Sequence, residues 1–233
     1  MTMDKRLRLY TILSSVFLSA LILAEITGSK LVQVPFIGGF VFTLTMGVVP
    51  FPVTFIVTDI INEYYGRKGI RFVTFVGMAM ILLVLAILQI DMSIPAASFS
   101  PVGDEAFNTV FGASTRIIVG SLTAYLIGQL VDIAVFHWVR QKTGSRMLWL
   151  RATGSTVVSQ LIDSFVVLFI AFSGVLSVDQ IVEIGFTNYI YKFLIAVGIT
   201  PLLYLLHGVI DRYLGMEQAK KMMEEAHSGS GSS

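Results

Sequence analysis

Phe72-Val-Thr-Phe-Val-Gly-Met-Ala-Met-Ile-Leu-Leu-Val-Leu-Ala-Ile-Leu-Gln-Ile90 runs for 19 residues without a charge, between Arg71 and Asp91. About 20 apolar residues, each rising 1.5 Å along a helix, cross a bilayer core of ~30 Å. The stretch therefore predicts a transmembrane helix. Working outward, comparable stretches fall at 9–27, 40–62, 116–138, 155–176 and 189–210. The expected fold is all-α integral membrane, with six transmembrane helices in one domain over 1–221. A polar tail over 222–233 follows, closing on the linker-like Ser228-Gly-Ser-Gly-Ser-Ser233.

Composition supports this reading. Of 233 residues, 55% are hydrophobic and 13% charged, with a mean hydropathy of +0.81. A soluble domain carries roughly 25% charged residues, so this chain could not cover a soluble surface without large apolar patches. A soluble enzyme and a secreted binding module are excluded. A net charge of +1, spread along the chain, leaves no footprint for nucleic acid. There is no cysteine, and His137, His207 and His227 show no ligand spacing, so neither a metal nor a cofactor is expected.

The positive-inside rule gives orientation. Lys5, Arg6 and Arg8 precede span 1; Arg67, Lys68 and Arg71 join spans 2 and 3. Arg140, Lys142, Arg146 and Arg151 join spans 4 and 5, and Arg212, Lys220 and Lys221 follow span 6. These are 13 of the 16 Lys and Arg, which predicts cytoplasmic N- and C-termini. The first span has too long an apolar run for a signal peptide and is read as a retained helix. Residues 91–115 form the long outer segment, an ordinary loop or one in which Phe107-Asn-Thr-Val-Phe111 makes a short amphipathic piece.

Ionisable groups inside a span cost roughly 2.5–3.5 kcal/mol each on insertion scales and normally face a cavity or a partner. Asp59 lies 8 residues before Arg67, Gln129 and Asp132 lie 11 and 8 before Arg140, and Gln160 and Asp163 lie 9 and 12 after Arg151. At 1.5 Å per residue these depths are about 12–18 Å, near the midplane. Gln129-Leu-Val-Asp132 and Gln160-Leu-Ile-Asp163 repeat one i, i+3 face, which Ser121, Tyr125 and Thr156 extend. Gln residues alone would also serve as interhelical glue at about 0.6 kcal/mol. For two midplane carboxylates with no cation at their depth that explanation is weaker: unpaired, they would be protonated, hydrated or bound to something. Nearer the outer face, Glu25, Arg116, Asn188 and Lys192 form an outer gate or cavity wall, or a structural ion pair of Glu25 with Lys192 or Arg116.

Pro50 and Pro52 fall inside span 2 and Pro201 inside span 6. Each removes a helical N–H, and such breaks are tolerated where backbone lines a cavity. Three spans per half predict that any duplication is a 3+3 inverted repeat.

Phe51-Pro-Val-Thr-Phe-Ile-Val-Thr-Asp-Ile-Ile-Asn-Glu-Tyr-Tyr-Gly66, followed by Arg67-Lys68, resembles the hallmark of the queuosine-precursor transporter family, also called the vitamin-uptake-transporter family. Ser121 through Tyr125 to Gln129-Leu-Val-Asp132 resembles it too, as do Leu148-Trp-Leu-Arg151, Ser155-Thr156, Gln160-Leu-Ile-Asp163, Phe172-Ser-Gly174, Tyr191-Lys192 and Thr200-Pro201. The resemblance implies a multi-pass importer in the bacterial inner membrane. Its cargo would be 7-cyano-7-deazaguanine, its 7-aminomethyl relative or queuine. A guanine edge pairs N1–H and its amine with a carboxylate, and its carbonyl accepts from a carboxamide, Lys or Arg. Phe and Tyr rings would stack on the base.

Two readings stay open: a self-sufficient secondary transporter, and a membrane binding subunit of an ATP-driven importer. Ala20-x-x-x-Ala24 in span 1 allows a partner subunit or a homo-oligomer, although small-xxx-small is also ordinary helix packing. Partners otherwise expected are the 7-deazapurine substrate and membrane lipid. An intramembrane enzyme lacks any supporting motif.

Overall fold

The computed structural model describes residues 4–35, 37–143 and 161–228. In chain order these form helix α1 (Lys5–Thr27), strands β1 (Leu31–Pro35) and β2 (Val41–Thr45), then α2 (Phe51–Ser93) and α3 (Asp104–Thr143). Next come α4 (Leu161–Phe172), α5 (Val178–Gly198), α6 (Thr200–Leu214) and α7 (Met216–Ser228). Among the described residues, four segments are long and apolar enough to cross a membrane: Lys5–Thr27, Met46–Ser93, Asp104–Gly128 and Val178–Gly198. The protein is a helical, multi-pass membrane protein.

Three expectations are corrected. Residues 41–45 do not begin a helical span; they pair as β2 with β1 in an antiparallel hairpin, Leu31 opposite Thr45 and Pro35 opposite Val41. Val, Phe and Thr side chains favour a strand, and Gly38 and Gly39, with φ of 81° and 82°, supply the left-handed backbone of the turn. Pro50 and Pro52 therefore do not break a helix but start one. Pro52 sits in the first turn of α2, where a missing N–H costs nothing, and the N–H groups of Val53 and Thr54 bond the Pro50 carbonyl. Finally, Phe107 and Phe111 lie in the opening turns of α3 rather than in a loop or a separate piece.

Two further boundaries concern the end of the chain. The segment from residue 222, read from sequence as a polar tail, begins inside α7, with Met222 only 1% exposed. The expected break at Thr200-Pro201 is present. Pro201 lies in the first turn of α6, shortly after α5 ends at Gly198.

The chain divides into two compact units. The first comprises residues 1–24, 47–86 and 192–233. Its core joins Leu9, Leu13 and Phe17 of α1 to Val57, Ile61, Tyr64 and Val73 of α2, Ile210 and Leu214 of α6, and Ala219 and Met222 of α7. The spacing 9, 13, 17 is one face of a helix. Helix α2 is interrupted at Gly66 (φ 66°, ψ −171°), which separates an arm of about 22 Å (51–65) from one of about 40 Å (67–93). The second arm runs alongside α1 in the same direction. Gly69 meets the Tyr10 ring, and Gly77 meets Phe17 and Leu21, where a β-carbon would lie 2.9 Å from the Leu21 methyl. Exposed side chains on this arm include Phe72, Phe75, Leu82 and Leu83, an apolar outer surface suited to lipid.

Contacts of Lys5 with Tyr213, Arg6 with Glu225 and Gly66 with Ala226 gather the start of α1, the interruption of α2, the end of α6 and α7. Lys5, Arg6, Arg8, Arg67, Lys68, Arg71, Arg212, Lys220 and Lys221 all belong to these segments. The long-range fold thus collects nine basic residues at one end of this unit.

The second unit comprises residues 25–46 and 87–191. Its core packs Ile117 of α3 against Leu168, Ala171 and Phe172 of α4 and Ile181 and Ile184 of α5. Gly120 lets α3 rest directly on the α4 backbone, because a β-carbon there would lie 2.9 Å from the Val167 carbonyl oxygen. Helix α5 opens on a capping box. The Gln180 N–H donates to the Ser177 hydroxyl, and the Ser177 N–H donates to Gln180 Oε1 at 3.0 Å.

Candidate functional site

In the first unit α2 carries Asp59 to an exposed position on the arm 51–65. Asp59 interacts electrostatically with His207 of α6 and with Glu63. Just over one turn beyond Asp59, Tyr64 is 2% exposed. Its hydroxyl donates to Asp211 Oδ1 at 2.7 Å and lies 3.1 Å from His207 Nδ1, with the two rings stacked at 5.4 Å. A hydroxyl has one proton. With that proton on the bond to the Asp211 carboxylate, His207 Nδ1 stands beside the tyrosine oxygen as its second partner. Metal-ligand spacing does not mark His207 as functional. The signal lies in His207-x-x-x-Asp211, whose i, i+4 spacing puts both groups on one face of α6. Lys192, also in this unit, places its ammonium 5.6 Å from the centre of the Phe51 ring, a cation–π contact at the start of α2.

In the second unit, Asp163 is half-buried on α4 and Tyr125 half-buried on α3. Glu25 is 8% exposed at the end of α1, and Asn188 is 5% exposed on α5. Asn188 Oδ1 accepts the Thr45 N–H at 3.4 Å, while the Thr187 hydroxyl donates to the Thr43 carbonyl at 2.5 Å. Asn188 and Thr187 thus anchor the β-hairpin to α5. Arg116 donates to the Ser173 carbonyl at the turn after α4. Ser114, two residues before Arg116, donates at 2.7 Å to the Ile26 carbonyl next to Glu25. Glu25, Arg116 and Asn188 thus share one unit, with hydroxyl and amide bonds fixing the backbone around them.

Gln129 and Asp132 lie on helix α3, with side chains outside the described residues; Thr156 and Gln160 lie outside them altogether.

The first unit also contains a cavity of about 470 Å³, at the end where the basic residues gather. Tyr10, Tyr64 and Tyr65 line it, together with Arg6 and Glu225, whose side chains form an ion pair at 2.7 Å. The Tyr10 and Tyr65 rings are 4.8 Å apart and tilted, and their hydroxyls donate to the Gly69 and Arg6 carbonyls.

Comparison with known proteins places these features in context. Residues 45–206 match a family model described as "Putative vitamin uptake transporter". A "Probable queuosine precursor transporter" of Bacillus subtilis (strain 168) is 34% identical over 166 residues, covering 71% of this chain and 72% of that protein. The "Queuosine precursor transporter" of Escherichia coli (strain K12) is 32% identical over 185 residues, covering 78% and 80%. A "Probable queuosine precursor transporter" of Haemophilus influenzae is 29% identical over 181 residues, covering 76% and 74%. No solved structure matches the chain.

Proposed function

We propose, on the premise that this chain belongs to the vitamin uptake transporter family, that it imports queuosine precursors across the bacterial inner membrane. The cargo is 7-cyano-7-deazaguanine or 7-aminomethyl-7-deazaguanine, and no enzymatic step is involved. The observation that carries the reading is the match to relatives named for this transport over more than two thirds of both chains.

The residues give the cargo a chemical rationale. Asp59, Asp132 and Asp163 supply carboxylates at one depth, estimated from their distance to the basic flanks, and Gln129 and Gln160 supply carboxamides. A carboxylate accepts the paired donors of the guanine edge; a carboxamide N–H serves its carbonyl. Tyr125 and Thr156 complete the set proposed to bind substrate. Glu25, Arg116, Asn188 and Lys192 form the outer wall.

Six crossings follow if α1, each arm of α2, α3, the span proposed at 155–176, and the α5–α6 pair cross once each. The nine basic residues at one end of the first unit support cytoplasmic termini by the positive-inside rule. The transporter alternates access around the midplane layer, with a 3+3 inverted repeat as its plan.

Asp132→Asn and Asp163→Asn should each abolish uptake of the precursor while protein level and membrane insertion persist. Normal uptake by both variants would remove the assignment. Purified protein in liposomes should take up the precursor without ATP. A requirement for an ATPase partner would convert the reading to that of a binding subunit.

A further inference from the structure

Among the described residues, those that line the tyrosine-lined cavity of the first unit include none of the substrate-binding residues proposed above. The cavity has the size of a small-molecule site, within the range of about 300–1,000 Å³. The hydroxyls of Tyr10, Tyr64 and Tyr65 are all engaged by protein atoms, so the rings offer the cavity their faces and edges. Polar recognition falls to Arg6 and Glu225, which pair with each other at 2.7 Å so that a ligand meets them as a pair, and to Asp4 as an acceptor. Aromatic faces beside one cation and two carboxylates suit a flat ligand that carries donors and acceptors together. They suit neither a phosphate nor an aliphatic chain.

One wall comes from α7, which contributes Met222, Glu225 and Ala226. This helix is joined to α6 through Gly215, whose φ of 92° is left-handed backbone that glycine adopts without strain. An exposed ion pair, Arg6 with Glu225, closes it onto α1. Exposed pairs are weak and yield to salt, so this rim contact is easily opened, while Ala219 and Met222 keep α7 seated in the core.

We infer that this cavity is a second cargo site at the basic end of the first unit, a release vestibule that the flat heterobicycle occupies after the midplane site, with the Arg6–Glu225 pair at its rim. The inference rests on the import reading above. It extends that reading by adding Tyr10, Tyr65, Arg6 and Glu225 to the transport path.

Equilibrium dialysis of radiolabelled 7-cyano-7-deazaguanine against the full chain in lipid nanodiscs tests it. The protein should bind two equivalents, the second at least tenfold more weakly. Leu7, exposed on the cavity wall, can be enlarged without entering the core. Leu7→Trp should keep the tight equivalent, lose the weak one and slow uptake at least threefold. Asp163→Asn should do the reverse, losing the tight equivalent and keeping the weak one. A single equivalent that disappears in Asp163→Asn would overturn the vestibule while leaving the import reading intact. Two equivalents retained in Leu7→Trp would overturn it as well, and no binding at all would remove both. Should Leu7→Trp misfold, Glu225→Gln serves instead. It should weaken only the second equivalent, by about tenfold, and unchanged binding would refute the proposal.

Discussion

Replacing Gly66 with alanine should destabilise the protein through two separable effects. The backbone at Gly66, φ 66° and ψ −171°, lies in a region essentially reserved for glycine. Holding a β-carbon there costs about 1–3 kcal/mol. That β-carbon would also sit 2.9 Å from the carbonyl oxygen and 3.1 Å from the Cα of Ala226, both backbone atoms of α7. Backbone cannot swing away as a side chain can, so α7 must shift, an overpacking cost of about 1–3 kcal/mol. The sum is roughly 2–6 kcal/mol if the two effects add. At about 2–4 °C per kcal/mol for a chain of this length, Gly66→Ala should lower Tm by at least ~4 °C.

Thermal unfolding of detergent-purified protein, followed by intrinsic fluorescence, measures the shift. Limited trypsinolysis reads α7 independently, since Lys220 and Lys221 lie on it and should be cut faster in the variant. Gly112→Ala is the control. Gly112 lies within α3, and a β-carbon added there would meet no atom within 4 Å, so the substitution should hold Tm or raise it by improving helix propensity. Equal Tm values for Gly66→Ala and the parent, with unchanged cleavage, would refute the reasoning.

Three further outcomes are expected. Tyr64→Phe removes the hydroxyl bonded to Asp211 and His207 and should cost about 1.5–3 kcal/mol, measured as a lowered midpoint of denaturation. Gly120→Ala drives a β-carbon against the Val167 carbonyl and should lower Tm, whereas an unchanged Tm would mean that α3 and α4 can separate without cost. Thr187→Val deletes the bond to the Thr43 carbonyl and should raise hydrogen exchange at the amides of 41–45 over that at α5, with a stability loss of about 1 kcal/mol.

Much of the path from sequence to fold is local. A 19-residue uncharged run is a span wherever it sits, because the bilayer thickness is the same for every segment. Pro201 ends one helix and opens another because its own N–H is missing. The hairpin is not legible in this way, because Leu31–Pro35 and Val41–Thr45 are short apolar runs, in which helical and strand periodicity cannot be told apart. The pattern of Pro50 and Pro52 is visible, but its meaning depends on where the helix begins. Asp59, Asp163, Glu25 and Asn188 stand out as polar groups in apolar surroundings. Tyr64 does not, since a tyrosine near a span end is ordinary at a membrane interface.

The sequence by itself determined the solvent, the helical class, the clustering of basic residues between apolar runs and the polar groups that defy their surroundings. Each of those follows from the free energy of a residue and its near neighbours against lipid or water. Only the tertiary structure decided that Tyr64 meets His207 and Asp211, 143 and 147 residues away, that Thr187 holds the hairpin at Thr43, and that α7 walls a cavity. Those contacts depend on how distant segments close on one another, and a hydroxyl carries no local mark of the carboxylate it will find.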